Sequence, residues 1–332
     1  MSPTSRFSSY PPGIHGPSIT FFQDTVQQEV DWETQEKHFE FMIKHLHGIV
    51  LTGSSGENAT LSIEEKSQMV RKAREVATRL GKPDFPITLG VMAGCTRDIL
   101  AQIEAGHQNG ADFALVLVPA VFHWSMTSDA VLDFFKEVGD RSPLPIIIYN
   151  FPNLLHGIDV DPFMLEELGR HPNIYAVKLT CGSVGKATRV AAQFEPSQFT
   201  SVSGMSDWLV AALAAGSSGC ISGVANIFPS VMMEIYRLYT TGHMQEAVAL
   251  QKKLVMPELG IATSDVSGMK WLTAWARGYP ETSVHCRRPI PRFVDQAKKD
   301  RAQGLLKPLL AVEEEYIKKA AQASASKQTN GN

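Results

Sequence analysis

The residues best placed to do chemistry lie at the end of one short stretch, Asn173-Ile174-Tyr175-Ala176-Val177-Lys178-Leu179-Thr180. An apolar run with a β-branched residue just before the lysine predicts a buried strand. Burial favours a neutral amine, and a neutral amine attacks carbonyls, so Lys178 is a candidate Schiff-base nucleophile. Taken alone, it could equally be a lysine that reaches solvent at a strand end. Tyr149 closes a second apolar run, Pro145-Ile146-Ile147-Ile148-Tyr149, where a phenol could move protons beside an amine or simply cap a core. Gly53-Ser54-Ser55-Gly56 follows a third run and precedes a helix. Its hydroxyls and backbone amides suit a carboxylate or phosphate, though a plain turn has the same composition. It does not fit the nucleotide-binding phosphate loop.

Together the three describe a site that holds a 2-oxo acid by its carboxylate and attacks its ketone with an amine. The resulting iminium withdraws electrons, so a carbon–carbon bond can break or form beside it.

Those residues must be positioned by a scaffold, and the chain supplies a regular one. Apolar runs at Ser18–Phe22, Gly48–Thr52, Ile87–Val91, Phe113–Val118, Pro145–Tyr149, Ile174–Lys178, Phe199–Ser203 and Cys220–Gly223 alternate with helical patterns. Ala130–Gly139 and Asp207–Ala215 are examples, and Ser62 with Glu65 has capping-box spacing. Eight such units predict an α/β fold, a (β/α)8 TIM barrel with its working residues at the C-terminal face. No Gly-x-Gly-x-x-Gly follows an early strand, which disfavours a dinucleotide fold. Helices expected at Val231–Thr240, His243–Leu254, Gly268–Arg277 and Val294–Ala321 form a C-terminal extension. The expected organisation is a flexible arm over residues 1–16, the barrel over 17–228, the helical extension over 229–321 and a disordered tail over 322–332.

Composition narrows the partners. The 332 residues are 44% hydrophobic and carry a net charge of -3 without long charged blocks. This gives no electrostatic footing for nucleic acid, and there is no apolar run of membrane-spanning length. The N-terminus has no apolar signal core. It is Ser-rich, with Arg6 and no acid before Asp24, a faint transit-peptide likeness outweighed by the single arginine. The expectation is a cytoplasmic location, with a mitochondrial one less favoured. Cys95, Cys181, Cys220 and Cys286 form no Cys-x-x-Cys pair and are expected as buried free thiols. The histidines, His45 and His47 included, are expected to be structural, the acids to be solvated charges on helix faces, and no metal is called for.

The sequence resembles the family of dihydrodipicolinate synthase and N-acetylneuraminate lyase, the pyruvate-dependent class I aldolases. The motifs that carry the likeness are Gly53-Ser54-Ser55-Gly56-Glu57, Tyr149-Asn150-Phe151-Pro152 and Val177-Lys178, within roughly residues 15–310. The resemblance implies that Lys178 forms the Schiff base, that Tyr149 relays protons with Ser55, and that Ser54 and Ser55 bind the carboxylate. It places Thr180, Gly204, Ile221 and Ser222 around the pocket, with Ser206 and Asp207 facing substrate hydroxyls. It also implies a homotetramer and no cofactor. The synthase branch has an arginine shortly after its tyrosine; Leu154 stands there in this chain, which puts dihydrodipicolinate synthesis in doubt. That branch also lends its neighbour a tyrosine from the loop after the fourth strand, and Pro119-Ala120-Val121-Phe122-His123-Trp124 contains none.

The favoured reading is therefore cleavage of a 2-keto-3-deoxy sugar acid, such as L-threo-3-deoxy-hexulosonate, to pyruvate and glyceraldehyde. Fungal-type deoxy-hexulosonate aldolases look most similar. Alternatives are a 4-hydroxy-2-oxoglutarate aldolase, a keto-deoxy sugar acid dehydratase, a dihydrodipicolinate synthase-like enzyme, and an idle barrel that only binds a 2-oxo acid.

Overall fold

A computed structural model describes residues 6–329. Its eight strands close into one parallel barrel, each strand pairing with the next and the last with the first. They are β1 (Gly13–Pro17), β2 (Gly48–Leu51), β3 (Ile87–Val91), β4 (Phe113–Leu117), β5 (Ile146–Asn150), β6 (Ile174–Leu179), β7 (Thr200–Ser203) and β8 (Gly219–Ile221). The outer ring is α1 (Trp32–His45), α2 (Ile63–Arg79), α3 (Thr96–Gln108), α4 (Ser128–Arg141), α5 (Pro162–Leu168), α6 (Val184–Gln193), α7 (Leu209–Ala214) and α8 (Pro229–Thr240). The Ser62–Glu65 capping box opens α2, with both reciprocal hydrogen bonds present. The structure is the (β/α)8 barrel with a helical extension that strict βα alternation predicts.

The first strand lies one segment earlier than expected. Ser18–Phe22 is apolar and buried, but it has already crossed the rim: Phe22 makes only an isolated antiparallel bridge with Val30. The chain's true first strand, Gly13-Ile14-His15-Gly16-Pro17, has a loop's composition because closure of the barrel demands it. A Cβ on Gly13 would stand 2.6 Å from His47 Cγ, and one on Gly219 would stand 2.7 Å from the Gly13 carbonyl carbon. Side chains cannot be accommodated at that spacing, so glycine replaces the usual β-branched residues. The expected flexible arm is thus corrected from Tyr10 onward. Tyr10 is buried and stacks on His15, with ring centroids 4.8 Å apart. Residues 1–5 of that arm lie outside the described residues.

The extension comprises α9 (Met244–Ala262), α10 (Asp265–Arg277) and α11 (Gln296–Thr329). Two boundaries differ from expectation. α9 does not stop at Leu254 but continues through Pro257. A proline in a helix interior removes one hydrogen bond and costs about 3 kcal/mol. Leu254 and Ile261 on either side are both buried, and packing overrides the local penalty. α11 runs through most of the segment expected to be a disordered tail, and residues 330–332 lie outside the described residues. Glu313 of α11, fully buried, accepts hydrogen bonds from the Ser230 and Val231 amides at 2.9 and 2.8 Å. It so caps the N-terminus of α8, where amides have no helical partner. Burial pushes its carboxyl up to about 7, the two amides acting in the opposite direction.

Candidate active site

At the C-terminal mouth of the barrel the adjacent strands β5 and β6 pair Tyr149 directly with Lys178. Both side chains are buried, and the Lys178 ammonium sits 4.1 Å from the centre of the Tyr149 ring. The Ser54 hydroxyl lies 3.2 Å from the Tyr149 phenol oxygen. Burial acts to raise the phenol's pKa, but the positive charge of Lys178 and the Ser54 hydrogen bond outweigh it, and the net shift is downward. The phenol is thereby readied to give up its proton next to the amine. The partner of the phenol is Ser54, not Ser55: consecutive residues of the loop point different ways. Ser55 lines the cavity alongside Lys178.

The loop holding the two serines is rigidly built. Gly53 O accepts from the Gly56 and Asn58 amides, and Ser54 O from that of Glu57. The Ser54 and Ser55 amides are not used in these turns. Asn58 Nδ2 donates to Thr52 O at 2.6 Å and to Gly90 O at 2.9 Å, fixing the loop to β3. Glu57, in the left-handed region at φ 58°, is buried and paired with Lys270 of α10, and it accepts from the Arg287 amide at 2.9 Å. A buried acid is sustained only by such partners. The extension therefore fastens the anion loop from outside.

These groups open onto a cavity of about 470 Å³. Thr180 and Gly204 line it together; a Cβ on Gly204 would fall 2.6 Å from Thr180 Cα. The buried Thr180 hydroxyl has no hydrogen-bond partner. Ser222 also faces the cavity, whereas Ile221 is a fully buried strand residue whose side chain does not. A smaller apolar cavity of about 170 Å³ backs onto Tyr149 and Ser54 from the side of β3 and β4.

The residues expected on the acceptor side are partly elsewhere. Ser206 is buried and bound to Glu258, and Asp207 is exposed, its carbonyl accepting from Gln251 Nε2 at 3.0 Å. Neither lines the cavity; Met205 does. The far wall comes from α9 and the start of α10, through Glu258, Ile261, Asp265, Val266 and Met269. Glu258, past the expected helix end at Leu254, is buried in the wall and is not the solvated helix-face charge expected of the acids. Leu154, the position that the resemblance matches to the synthase branch's arginine, lines both cavities. The loop after β4 turns outward, with Val121, Phe122 and Trp124 68%, 61% and 71% exposed.

Of the thiols, Cys220 and Cys286 are buried, as expected, but Cys181 is half-buried and Cys95 exposed; all four are free. His47 is structural, its Nδ1 accepting from the Ile14 amide at 3.1 Å. Among the described residues no group of three His, Cys, Asp or Glu side chains could hold a metal, and no helix is long and apolar enough to cross a membrane.

Comparison with known proteins places the chain in a family. The model of the dihydrodipicolinate synthetase family matches residues 11–308. A Coccidioides immitis protein named as a mitochondrial 4-hydroxy-2-oxoglutarate aldolase is 40% identical over 87% of this chain and 93% of its own. An L-threo-3-deoxy-hexylosonate aldolase of Hypocrea jecorina is 30% identical over 92% and 98%. Among solved structures, a dihydrodipicolinate synthase family protein from Coccidioides immitis superposes with a TM-score of 0.83 at 34% identity, covering 92% of this chain and 98% of that one. The mitochondrial assignment of the 40% identical relative overturns the expected cytoplasmic location. The chain belongs to the dihydrodipicolinate synthetase family, and it is an aldolase-type carbon–carbon lyase of that family.

Proposed function

We propose that the protein is a Schiff-base aldolase that cleaves a 4-hydroxy-2-oxo acid to pyruvate and an aldehyde. The observation that carries this reading is the contact of Lys178 with Tyr149 and of Tyr149 with Ser54, at the edge of one open cavity. The Lys178 amine attacks the C2 ketone and water leaves, giving an iminium. Tyr149, as phenolate, takes the proton of the C4 hydroxyl, the C3–C4 bond breaks, and its electron pair moves into an enamine. The aldehyde departs, C3 is reprotonated, and hydrolysis releases pyruvate and the free lysine. Ser54 and Ser55 hold the substrate carboxylate, and Thr180 offers an otherwise unpartnered hydroxyl.

For the substrate, we favour 4-hydroxy-2-oxoglutarate, which yields glyoxylate, since the more similar relative bears that name. The second reading, a 2-keto-3-deoxy sugar acid yielding glyceraldehyde, is favoured by the cavity lining, in which Lys178 is the sole cation among the described residues and Glu258 and Asp265 are acids. Leu154 in place of a cation argues against dihydrodipicolinate synthesis. We infer a mitochondrial location from the same relative. We also infer a homotetramer, to which the exposed Val121, Phe122 and Trp124 would contribute apolar area; a monomer by light scattering would refute it.

The deciding test is incubation with pyruvate and borohydride, followed by peptide mapping. A reduced pyruvyl adduct on Lys178 is expected, and a folded protein without one would remove the scheme. Identifying the aldehyde released from each candidate acid then separates glyoxylate from glyceraldehyde, and loss of water without pyruvate would indicate a dehydratase.

A further inference from the structure

The reaction scheme leaves one buried charged group of the cavity unused. Glu258 stands on α9 and is 3% exposed. Its Oε1 accepts from the Ser206 amide at 3.0 Å and from the Ser222 hydroxyl at 3.1 Å, and its Oε2 accepts from the Ser206 hydroxyl. Ser206 belongs to the loop after β7 and Ser222 to the loop after β8. One carboxyl from the extension thus ties two barrel loops together and is fixed in the cavity wall. The substrate's orientation follows from the other fixed points. In the proposed scheme C1 is at Ser54 and Ser55 and C2 on Lys178, and the wall formed by α9 and α10 supplies the cavity's remaining charged groups, Glu258 and Asp265, for the carbons beyond C4. Those carbons differ between the candidate acids: a five-carbon diacid carries a second carboxylate there, and a six-carbon keto-deoxy acid carries hydroxyls.

We propose that Glu258 is a specificity-determining residue: its carboxyl, held by Ser206 and Ser222, meets the half of the substrate that leaves as the aldehyde and discriminates by charge between a carboxylated and a hydroxylated leaving half. This rests on the aldolase reading of Lys178. A carboxylate accepts hydrogen bonds from hydroxyls but repels a second carboxylate, strongly so where water is excluded. A protonated carboxyl instead donates to that carboxylate. Burial, aided by the nearby negative charge of Asp207 and opposed by the Ser206 and Ser222 hydrogen bonds, pushes Glu258 up to about 7. The titratable or charged groups around it are Asp207 after β7, the Cys220 thiol on β8, Asp265 on α10 and Lys178 on β6. Selection is therefore itself set by pH: the diacid is admitted best below the Glu258 titration and the hydroxylated acid is favoured above it.

The test measures kcat/KM for pyruvate release from 4-hydroxy-2-oxoglutarate and from a 2-keto-3-deoxyhexonate on both sides of pH 7. A substrate that is not turned over is read through its inhibition of the other. In the wild type the diacid-to-hydroxy-acid ratio should fall about tenfold as Glu258 ionises. Glu258→Gln keeps the shape and removes the charge, so its ratio should be flat with pH and shifted toward the diacid. Glu258→Asp keeps a charge and should keep a sloping ratio, which guards against a Gln variant that fails to fold. Ser222→Ala removes a hydrogen bond that holds the Glu258 pKa down, so the pH at which the ratio falls should move upward. A Glu258→Gln ratio that matches the wild type at every pH, with both rates lowered in parallel, would reduce Glu258 to a structural clamp and overturn the proposal. Borohydride trapping on the same samples keeps the two readings apart: trapping with an unmoved ratio refutes only the role of Glu258, and absence of trapping refutes the aldolase scheme beneath it.

Discussion

The two halves of the cavity are made in different ways. The half around Lys178, Tyr149 and Ser54 is built from strand ends and one βα loop of the barrel itself. The opposite half is built from helices α9 and α10, which belong to no βα unit and enter the mouth from outside. Strand ends are held by the ladder and cannot shift without breaking it, which suits groups whose spacing decides a proton transfer. The helices on the rim lie outside the strand ladder and reach the barrel through side chains, Lys270 to Glu57 and Glu258 to Ser206 and Ser222, and they form the part that we propose chooses the aldehyde. The difference teaches that one fold can keep its chemistry constant while its substrate varies.

The comparison can be broken at several points. Lys178→Ala should abolish turnover and borohydride trapping altogether, because nothing else in the strand-end half can form the imine; measurable pyruvate release from that variant would end the division of labour. Tyr149→Phe should lower kcat by about 10²–10⁴-fold, the usual scale for losing a general acid–base group, and steady-state kinetics would read it with either acid. Ser54→Ala should cost less, about tenfold, and it carries a sign. The Ser54 hydrogen bond helps to hold the phenol's pKa down. Without it the phenolate forms only at higher pH, so the rising limb of the kcat profile should move upward; an unmoved limb would detach Ser54 from Tyr149.

Gly204→Ala tests the seam between the halves. Its Cβ would press on the Thr180 backbone, and overpacking of this kind costs about 1–3 kcal/mol, visible as a lower urea midpoint together with a raised KM. The smallest effect belongs to the attachment of the extension. Glu313 has its carboxyl raised from 4.5 to about 7 in the folded state, so between those values the folded protein binds more protons than the unfolded chain. The stability Glu313 contributes is complete below about pH 4.5 and is lost as pH rises through about 7. Glu313→Gln should flatten that part of the stability curve, by an amount of order 1 kcal/mol, and an unchanged slope in denaturant titrations at several pH values would exclude the coupling.

How much could be read in advance follows the same division. Lys178 and Tyr149 end uninterrupted apolar runs, so strand period and barrel logic were enough to place both at the mouth. The serine that touches the phenol was not legible, since Ser54 and Ser55 are adjacent and only the turn geometry ending at Glu57 decides which points inward. Ser206 and Asp207 follow a strand end as a site residue should, yet Glu258 draws the first into the protein and the second lies on the surface. Glu258 lies past Leu254, where the expected helix ends; a proline at 257 opposes continuation, and burial of Leu254 and Ile261 carries the helix on. The first strand was missed for a related reason: a closing barrel selects glycine where isolated strands select valine.

The pairing of Gly13 with Gly219 also orders events at birth. Because β1 finds its second neighbour only when β8 has been made, the barrel's earliest strand waits with one edge open through most of translation, which proceeds at roughly 5–20 residues per second. Lys178, Tyr149 and Ser54 all precede β8 in the chain, whereas α9 and α10 follow it. Of the elements that line the cavity, the wall that carries Glu258 is therefore the last to be made.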